Sequence, residues 1–227
     1  MEPCFANQRN RALTRTDVLF AITVIILVVI IASMLLPVYA AKHRYRISLE
    51  CRNNVAQIIG GFQLWENDHN GKFPMEISVK NGGTKESAAA GDAVTTFQIM
   101  SNELRTPKIL ICPGDKIHWA ATNFNAFTAK NISYFVGLDA TPNYPKAYLS
   151  GDDNFWFNGG PVKSGILELS VKRPEDWINI PLNWDETRAD DSGTIGCVDG
   201  DVRETYWLPL RNNLYLSGFA TNRLIIP

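Results

Sequence analysis

The sequence predicts an α+β protein in which one long N-terminal helix packs on a mostly antiparallel β-sheet. Helical apolar spacing occupies the first third of the chain, and short apolar segments bounded by Pro, Gly, Asn or Asp occupy the rest. The 227 residues include 22 basic and 23 acidic side chains, which gives a net charge of −1. The sequence lacks the excess of basic residues that is typical of nucleic-acid-binding proteins, so we expect no nucleic-acid partner.

The first part of the predicted helix is strongly apolar. Residues 18–36 read VLFAITVIILVVIIASMLL, in which Thr23 and Ser33 are the polar exceptions. At 1.5 Å rise per residue, such a helix nearly spans a hydrocarbon core of roughly 30 Å. A core helix of a soluble protein normally keeps a polar stripe, which this segment lacks. The sequence therefore predicts a transmembrane helix over 18–36.

A cleaved secretory signal is the alternative interpretation of the same segment. Three arginines precede it, and Val38-Tyr39-Ala40 offers the small side chains that a signal peptidase accepts. The apolar segment exceeds the usual signal length of about 7–15 residues, which favours an anchor. A cut after Ala40 would instead release a secreted soluble binding domain, with carbohydrate as its candidate ligand.

The helix is predicted to continue beyond the anchor as an amphipathic helix that ends near Asp68. Apolar residues recur there at the spacing of one helical face, namely Ile47, Cys51, Val55, Ile58, Phe62 and Trp65. Pro37 lacks a backbone donor, so we expect it to kink or locally melt the helix. We expect Gly60 and Gly61, each costing roughly 1 kcal/mol relative to alanine, to permit close packing against a sheet.

For the rest of the chain, the sequence predicts short helices and strands. We expect an exposed loop over 80–92 and a short helix over 94–104. Strands are predicted over 109–112, 133–138, 147–149, 166–169, 194–198 and 202–207. Asp199-Gly200 predicts a hairpin turn between the last two strands, because both residues tolerate positive φ.

The cysteines exclude two classes of protein. Cys4, Cys51, Cys112 and Cys197 form no C-x-x-C pair, so neither a zinc ribbon nor a thioredoxin-like site is predicted. A bridge between Cys51 and Cys112 is permitted if the head lies outside the cytoplasm. The alternative is that these cysteines are small buried apolar side chains.

The segment Ala12-Leu13-Thr14-Arg15-Thr16-Asp17, followed by the apolar run, resembles the N-terminus of a type IV prepilin. In that family a prepilin peptidase cuts just before the +1 residue, and an acidic residue stands at +5. The resemblance places the cut between Ala12 and Leu13, with Asp17 at +5.

Segments farther along the chain extend the resemblance. They are similar to a pilin-like group with type II secretion pseudopilin character, common in bacteria such as the Planctomycetes and Verrucomicrobia: RNNVAQIIGGFQLWENDHNGKFP, ILICPGD, SYFVGLDA, GCVDGDV and ATNRLIIP.

The sequence departs from the family pattern at four positions. The residue before the cut is usually Gly and is Ala12 here, and the usual +5 Glu is Asp17. The proline usually found near +22 is Pro37, at +25. Many relatives have a His about ten residues before the Asp-Gly turn, where this chain has Ala189, so no role of that histidine is carried over.

The resemblance implies a cytoplasmic leader over 1–12, an N-terminal helix over 13–69 and an extracytoplasmic head over 70–227. It implies a single-pass protein of the inner membrane, with its head in the periplasm, that becomes a structural subunit of a type II secretion pseudopilus or type IV pilus-like filament. The expected partners are the prepilin peptidase and other pilin or pseudopilin subunits, and no enzymatic activity is expected.

Asp17 is the residue expected to direct assembly. An unpaired carboxylate beside an apolar helix costs several kcal/mol. The free or N-methylated amine of Leu13 in a neighbouring subunit would neutralise it. The alternative role for Asp17 is that of a helix N-cap.

Two further groups are candidate binding residues. Asp190, Asp191, Asp199 and Asp201 surround turns near the C-terminus, and related pseudopilin heads bind calcium there, so calcium is the candidate cofactor, with simple solvation as the alternative. Six aromatic residues could fill the core, which we favour, or form a carbohydrate- or partner-binding surface. They are Phe155, Trp156, Phe157, Trp177, Trp184 and Trp207. A membrane-anchored hydrolase that uses Asp191 and Asp199 is a third hypothesis, although no G-x-S-x-G, Walker A or H-E-x-x-H motif supports an enzyme.

Overall fold

The computed structural model describes residues 14–185, 188 and 191–227. The chain divides into two compact units, Met1–Arg44 and Tyr45–Pro227. Helix α1 (Arg15–Asp68) contributes residues to both units. Three of the predicted site residues, Ala12, Leu13 and Asp190, lie outside the described residues.

In the first unit, α1 presents its apolar side chains to the surroundings. All residues over 18–36 are exposed, and α1 is the one described helix that is long and apolar enough to cross a membrane. The hydroxyls of Thr23 and Ser33 donate to the carbonyl oxygens of Phe20 and Ile30, at 2.8 and 2.7 Å, so these polar groups are satisfied within the helix. The helix runs through Pro37 without interruption, so the local melting that the sequence allowed does not occur here.

The second unit contains the end of α1, four short α-helices and nine β-strands among its described residues. The further helices are α2 (Lys85–Ala89), α3 (Ala93–Ile99), α4 (Ser101–Leu104) and α5 (Trp207–Leu216). The strands are β1 (Tyr134–Gly137), β2 (Tyr148–Asp152), β3 (Phe155–Phe157), β4 (Gly160–Pro161), β5 (Gly165–Ser170), β6 (Leu182–Trp184), β7 (Gly193–Cys197), β8 (Val202–Thr205) and β9 (Thr221–Ile226).

The strands form two antiparallel sheets. The main sheet has six strands in the order β5-β9-β1-β2-β7-β8, and the small sheet has the order β4-β3-β6. All strand pairs among the described residues are antiparallel. With a long N-terminal helix packed on this sheet, the fold is α+β, as the sequence predicted.

The central strands are buried on both faces. Neighbouring residues of one strand enter different cores: Val136 and Leu149 pack with α1, whereas Phe135 and Tyr148 pack with α5 and the small sheet. Since side chains alternate between the two faces of a strand, the main sheet is a layer between two cores. This is why β1, β2 and β7 contain almost no exposed residue.

The apolar face of α1 packs where its spacing predicted. Cys51, Val55, Ile58, Phe62 and Trp65 are all buried, which confirms the amphipathic helix and its end at Asp68.

The expectation that the glycine pair of α1 faces a sheet was wrong. A Cβ on Gly61 would lie 2.8 Å from Leu104 Cδ2 of α4, and a Cβ on Gly60 would have no neighbour within 4 Å. The close approach of helix and sheet is instead made by Gly196 of β7. A Cβ there would lie 2.6 Å from Ile59 Cγ1 and 2.9 Å from Val55 Cγ1.

Several other local predictions need correction. The predicted strand over 109–112 does not form. Its first two residues end a 3₁₀ helix (Pro107–Leu110), because the proline starts the turn and the Thr106 side chain accepts from the Lys108 N–H. The predicted loop over 80–92 contains α2, whose Ala88 is buried in the core. The predicted strand over 202–207 ends at Thr205, and the helix α5 that follows was not predicted.

The β7–β8 hairpin was predicted correctly. Strand register runs from Gly193 opposite Thr205 to Gly196 opposite Val202. At the turn, only Gly200 takes up positive φ, at 85°. Among the described residues, Asp199 is not one of those with positive φ.

Candidate functional site

The start of α1 is fixed by a reciprocal pair of Thr14 and Asp17. The carboxylate Oδ2 of Asp17 accepts from the backbone N–H and the hydroxyl of Thr14, at 3.0 and 2.7 Å. The Asp17 N–H in turn donates to Thr14 Oγ1 at 3.2 Å. This is a capping box, in which each side chain satisfies a backbone donor of the other residue. Asp17 is therefore not itself the N-cap: Thr14 is, because the helix begins at Arg15.

The carboxylate of Asp17 has no salt-bridge partner among the described residues. Over the described part of the chain, Asp17 forms no ion pair, and nothing bonds to its Oδ1. The apolar helix surface starts with the very next residue, Val18, which is 46% exposed. Within the described residues, a carboxylate without an ion-pair partner therefore stands at the start of an exposed apolar helix surface.

The acidic turn after β7 is neutralised by basic side chains. Lys146 Nζ lies 2.5 Å from Asp199 Oδ2 and 3.5 Å from Asp201 Oδ2, and Arg203 also pairs with Asp201. Asp191 lies elsewhere, at a cleft bordered by the small sheet and α5.

The positions of these aspartates do not support the predicted calcium site, which stays a prediction. In the described ranges, the oxygens of Asp191, Asp199 and Asp201 form no group of three within 4.8 Å. Calcium usually takes six to eight oxygen ligands, whereas two of these carboxylates already contact cations. The same positions separate Asp191 from Asp199, the acidic pair considered for hydrolysis.

Of the three cysteines that the structure describes, two form a disulfide and one does not. Cys51 of α1 and Cys112 form a disulfide that links the helix to the segment after the Pro107–Leu110 turn. Cys197 is buried and unpaired, and burial raises the pKa of its thiol to about 11. Both interpretations from the sequence therefore apply, the bridge to one pair and the apolar role to Cys197.

A buried charge cluster, which the sequence did not suggest, surrounds Arg188. Its Nη2 contacts both Asp115 and Asp153, the latter at 2.5 Å. Its Nη1 donates to the Ser133 carbonyl oxygen at 2.8 Å and lies 3.9 Å from Asp152 Oδ1. These side chains are at most 7% exposed. One arginine thereby ties together residues that are as much as 73 positions apart in sequence.

The environment moves the pKa values of these aspartates in opposite directions. Burial raises the pKa of Asp152 to about 6, because Arg188 and the Thr194 N–H offset only part of the cost of the charge. Burial acts on Asp115 too, but Arg188, His118 and the Ile117 N–H outweigh it and lower its pKa to about 2.

Split pKa values occur in acid–base sites and in structural ion networks alike. Here the hydrogen bonds favour a structural role. The Ser133 hydroxyl donates to Asp115 Oδ2 at 2.8 Å, the same oxygen that lies 2.8 Å from His118 Nδ1. Ser133 therefore bonds the carboxylate instead of the imidazole, which is not the arrangement of a Ser–His–Asp nucleophile. We interpret the cluster as an anchor for the chain at Arg188.

The predicted aromatic group divides into two sets. Phe155, Trp177 and Trp184 are buried core residues, at 1%, 1% and 3% exposure, and Phe157 is partly buried against the same core, as we favoured from the sequence. Trp156 and Trp207 are 37% and 49% exposed and line the same cleft as Asp191. The core interpretation is thus wrong for these two.

Comparison with known proteins adds no assignment. Protein-family models, curated proteins and solved structures were searched, and none matched the chain.

Proposed function

We propose that this chain is a structural subunit of a type II secretion pseudopilus or a type IV pilus-like filament. Residues 18–36 would anchor it in the inner membrane, with the head in the periplasm before assembly. The observation that carries the proposal is the exposed apolar surface from Val18 to Leu36, headed by the lone carboxylate of Asp17. An apolar surface of this extent requires lipid or other chains to cover it.

The geometry at the helix start supports an assembly role for Asp17. Both hydrogen bonds from Thr14 go to Oδ2, which leaves Oδ1 for a second partner. After the prepilin peptidase removes residues 1–12, Leu13 would carry a positively charged amine. That amine in a neighbouring subunit would pair with Oδ1, offset the cost of a charge at the edge of the apolar region and set the axial register of the two helices.

The head has features that suit an extracytoplasmic location. The Cys51–Cys112 disulfide is favoured in oxidising compartments and is uncommon in the cytoplasm. Residues 45–68 of α1 fall in the same compact unit as residues 69–227, so the proposed head includes them. The proposal is thus an anchor over 18–36 and an α+β pilin-like head that includes the end of α1.

Substitution of Asp17 tests the proposal. In a cell that assembles the filament, we expect Asp17→Ala to be processed but absent from sheared filaments, and Asp17→Glu to assemble, since it keeps the carboxylate. Asp68→Ala, which removes an exposed carboxylate at the other end of α1, is the matched control and should assemble normally.

The mass of the mature N-terminal peptide gives a second, independent result. We expect the mature chain to begin at Leu13, with or without N-methylation. A mature N-terminus at Ala41 would instead support the secreted binding domain. Normal assembly and export by Asp17→Ala would refute the proposed role of the carboxylate.

A further inference from the structure

An open cleft of about 700 Å³ lies beside the small β-sheet and α5. We call it the aromatic cleft. Its lining includes Trp156 of β3, Asn183 and Trp184 of β6, Asp191, and Trp207 and Arg211 of α5. Its volume is within the range of small-molecule sites, about 300–1,000 Å³.

Two tryptophans offer exposed ring surface to this cleft. Trp156 and Trp207 are 37% and 49% exposed and come from different elements, a strand and a helix. Trp156 stands directly opposite Asn183 in the register of β3 and β6, so the two side chains share one face of the small sheet. Large aromatic rings at the surface are typical of recognition sites, because they bury much area at little entropic cost.

The polar groups of the cleft are held in place before any ligand arrives. Arg211 lies 5.1 Å from the Trp207 ring and donates three hydrogen bonds, from Nε to Leu182 O at 3.0 Å, from Nη1 to Ile178 O at 3.1 Å and from Nη2 to Asn183 Oδ1 at 2.9 Å. These bonds fix the guanidinium and orient the Asn183 amide. A preorganised site loses less entropy when it binds.

Trp184, 3% exposed, carries an unsatisfied donor in the wall of the cleft. Its ring stacks on Phe155 with centroids 4.8 Å apart, and a Cβ on Gly193 would lie 2.6 Å from the ring, so the indole is tightly held. Its Nε1–H is buried, yet no described residue accepts a hydrogen bond from it. An unpaired buried donor costs about 1–3 kcal/mol, so packing against Phe155 and Gly193, and no hydrogen bond to a described residue, holds the indole in the cleft wall.

We propose that the aromatic cleft binds a neutral polysaccharide chain. A pyranose ring presents apolar C–H faces and a rim of hydroxyl groups, and the cleft matches both. Trp156 and Trp207 supply flat apolar surfaces for the rings. Asn183, Asp191 and Arg211 supply the donors and acceptors that hydroxyls require.

The charges of the cleft favour a neutral ligand over an anionic one. The lining holds two carboxylates, Asp185 and Asp191, and one guanidinium, Arg211, so its net charge would repel a uronate or sulfate group. The side chains of a wholly apolar peptide would offer no hydrogen-bond partner to Asn183, Asp191 and Arg211, which disfavours such a ligand. This binding activity does not depend on the filament function, since no residue of the anchor takes part.

Titration calorimetry of the full chain in detergent tests the proposal, with cellohexaose and chitohexaose as neutral probes and hexagalacturonate as the anionic probe. We expect at least one neutral hexasaccharide to bind, and Trp156→Ala and Trp207→Ala each to weaken it at least about tenfold. Trp119→Ala is the matched control, because Trp119 is 57% exposed but does not line the cleft. Its affinity should equal that of the unmodified chain.

Oxidation of the unmodified chain with N-bromosuccinimide gives a readout that needs no variant. The bound hexasaccharide should protect Trp156 and Trp207 from oxidation, as mapped by peptide mass, and should leave Trp119 as reactive as before. Failure of both neutral probes to bind, binding of hexagalacturonate alone, or equal protection of all three tryptophans would each overturn the proposal.

Discussion

Replacement of Gly196 by alanine tests how closely α1 approaches the sheet. The added Cβ would lie 2.6 Å from Ile59 Cγ1 and 2.9 Å from Val55 Cγ1, distances below those that Cβ atoms adopt. Both neighbours are buried branched side chains, at 1% and 0% exposure, so neither can move into solvent. Overpacking of this kind costs about 1–3 kcal/mol. We expect Gly196→Ala to lower the free energy of unfolding by that amount.

The two glycines of α1 are matched controls with different expected outcomes. A Cβ on Gly60 would meet nothing within 4 Å, so Gly60→Ala should stabilise the protein by up to about 1 kcal/mol through helix propensity. A Cβ on Gly61 would meet the end of the Leu104 side chain at 2.8 Å, which can shift in part. Gly61→Ala should therefore fall between the other two.

Thermal unfolding of the full chain in a mild detergent, followed by near-UV circular dichroism, measures all three variants. For a protein of this size, each 1 kcal/mol corresponds to about 2–4 °C in Tm. The expected order of Tm is Gly60→Ala highest, then Gly61→Ala, then Gly196→Ala. If Gly196→Ala were as stable as Gly60→Ala, the close packing of α1 on β7 would be refuted.

Three more predictions concern the crosslink and the buried charges. Reducing Cys51–Cys112 opens a loop with a sequence separation of 61 and should cost about 4 kcal/mol, seen as a lower urea midpoint in dithiothreitol; an unchanged midpoint would contradict this. Arg188→Met should lower stability at pH 7 by about 3–5 kcal/mol, because it leaves buried carboxylates unpaired, and a loss below 1 kcal/mol would rule out the anchor role. Burial raises the pKa of Asp152 from its ordinary value of 3.8 to about 6 in the folded state, so its contribution to stability falls as pH rises from about 4 to 6. Asp152→Asn should therefore gain up to about 3 kcal/mol relative to the unmodified chain above pH 6, and no such gain at pH 4, in urea titrations at both pH values.

Elements that depend on neighbours in sequence were predictable. The apolar face that includes Val55 and Phe62 follows from the 3.6-residue period, and the Asp199-Gly200 hairpin from turn chemistry, because both depend on residues a few positions apart. The wrong predictions arose where the short-range pattern was ambiguous. The apolar run at 109–112 has the composition of a strand, but Pro107 starts a 3₁₀ turn there instead.

Contacts between distant segments were beyond the reach of pattern analysis. Arg188 meets Asp115 across 73 positions, and nothing in the local composition of either residue indicates the other. The aromatic cleft has the same origin, since Trp156 and Trp207 line one cleft only because α5 packs against β6, the neighbour of β3.

The sequence by itself determined the long apolar segment, the carboxylate that precedes it, the amphipathic end of α1 and the α+β class, because periodicity and hydropathy are local properties of the chain. The tertiary structure decided which glycine lets α1 pack closely on the sheet, which cysteines pair and which tryptophans stay at the surface. Those outcomes depend on the distance between side chains of separate elements, and only the packing of the two cores on either side of the main sheet sets that distance.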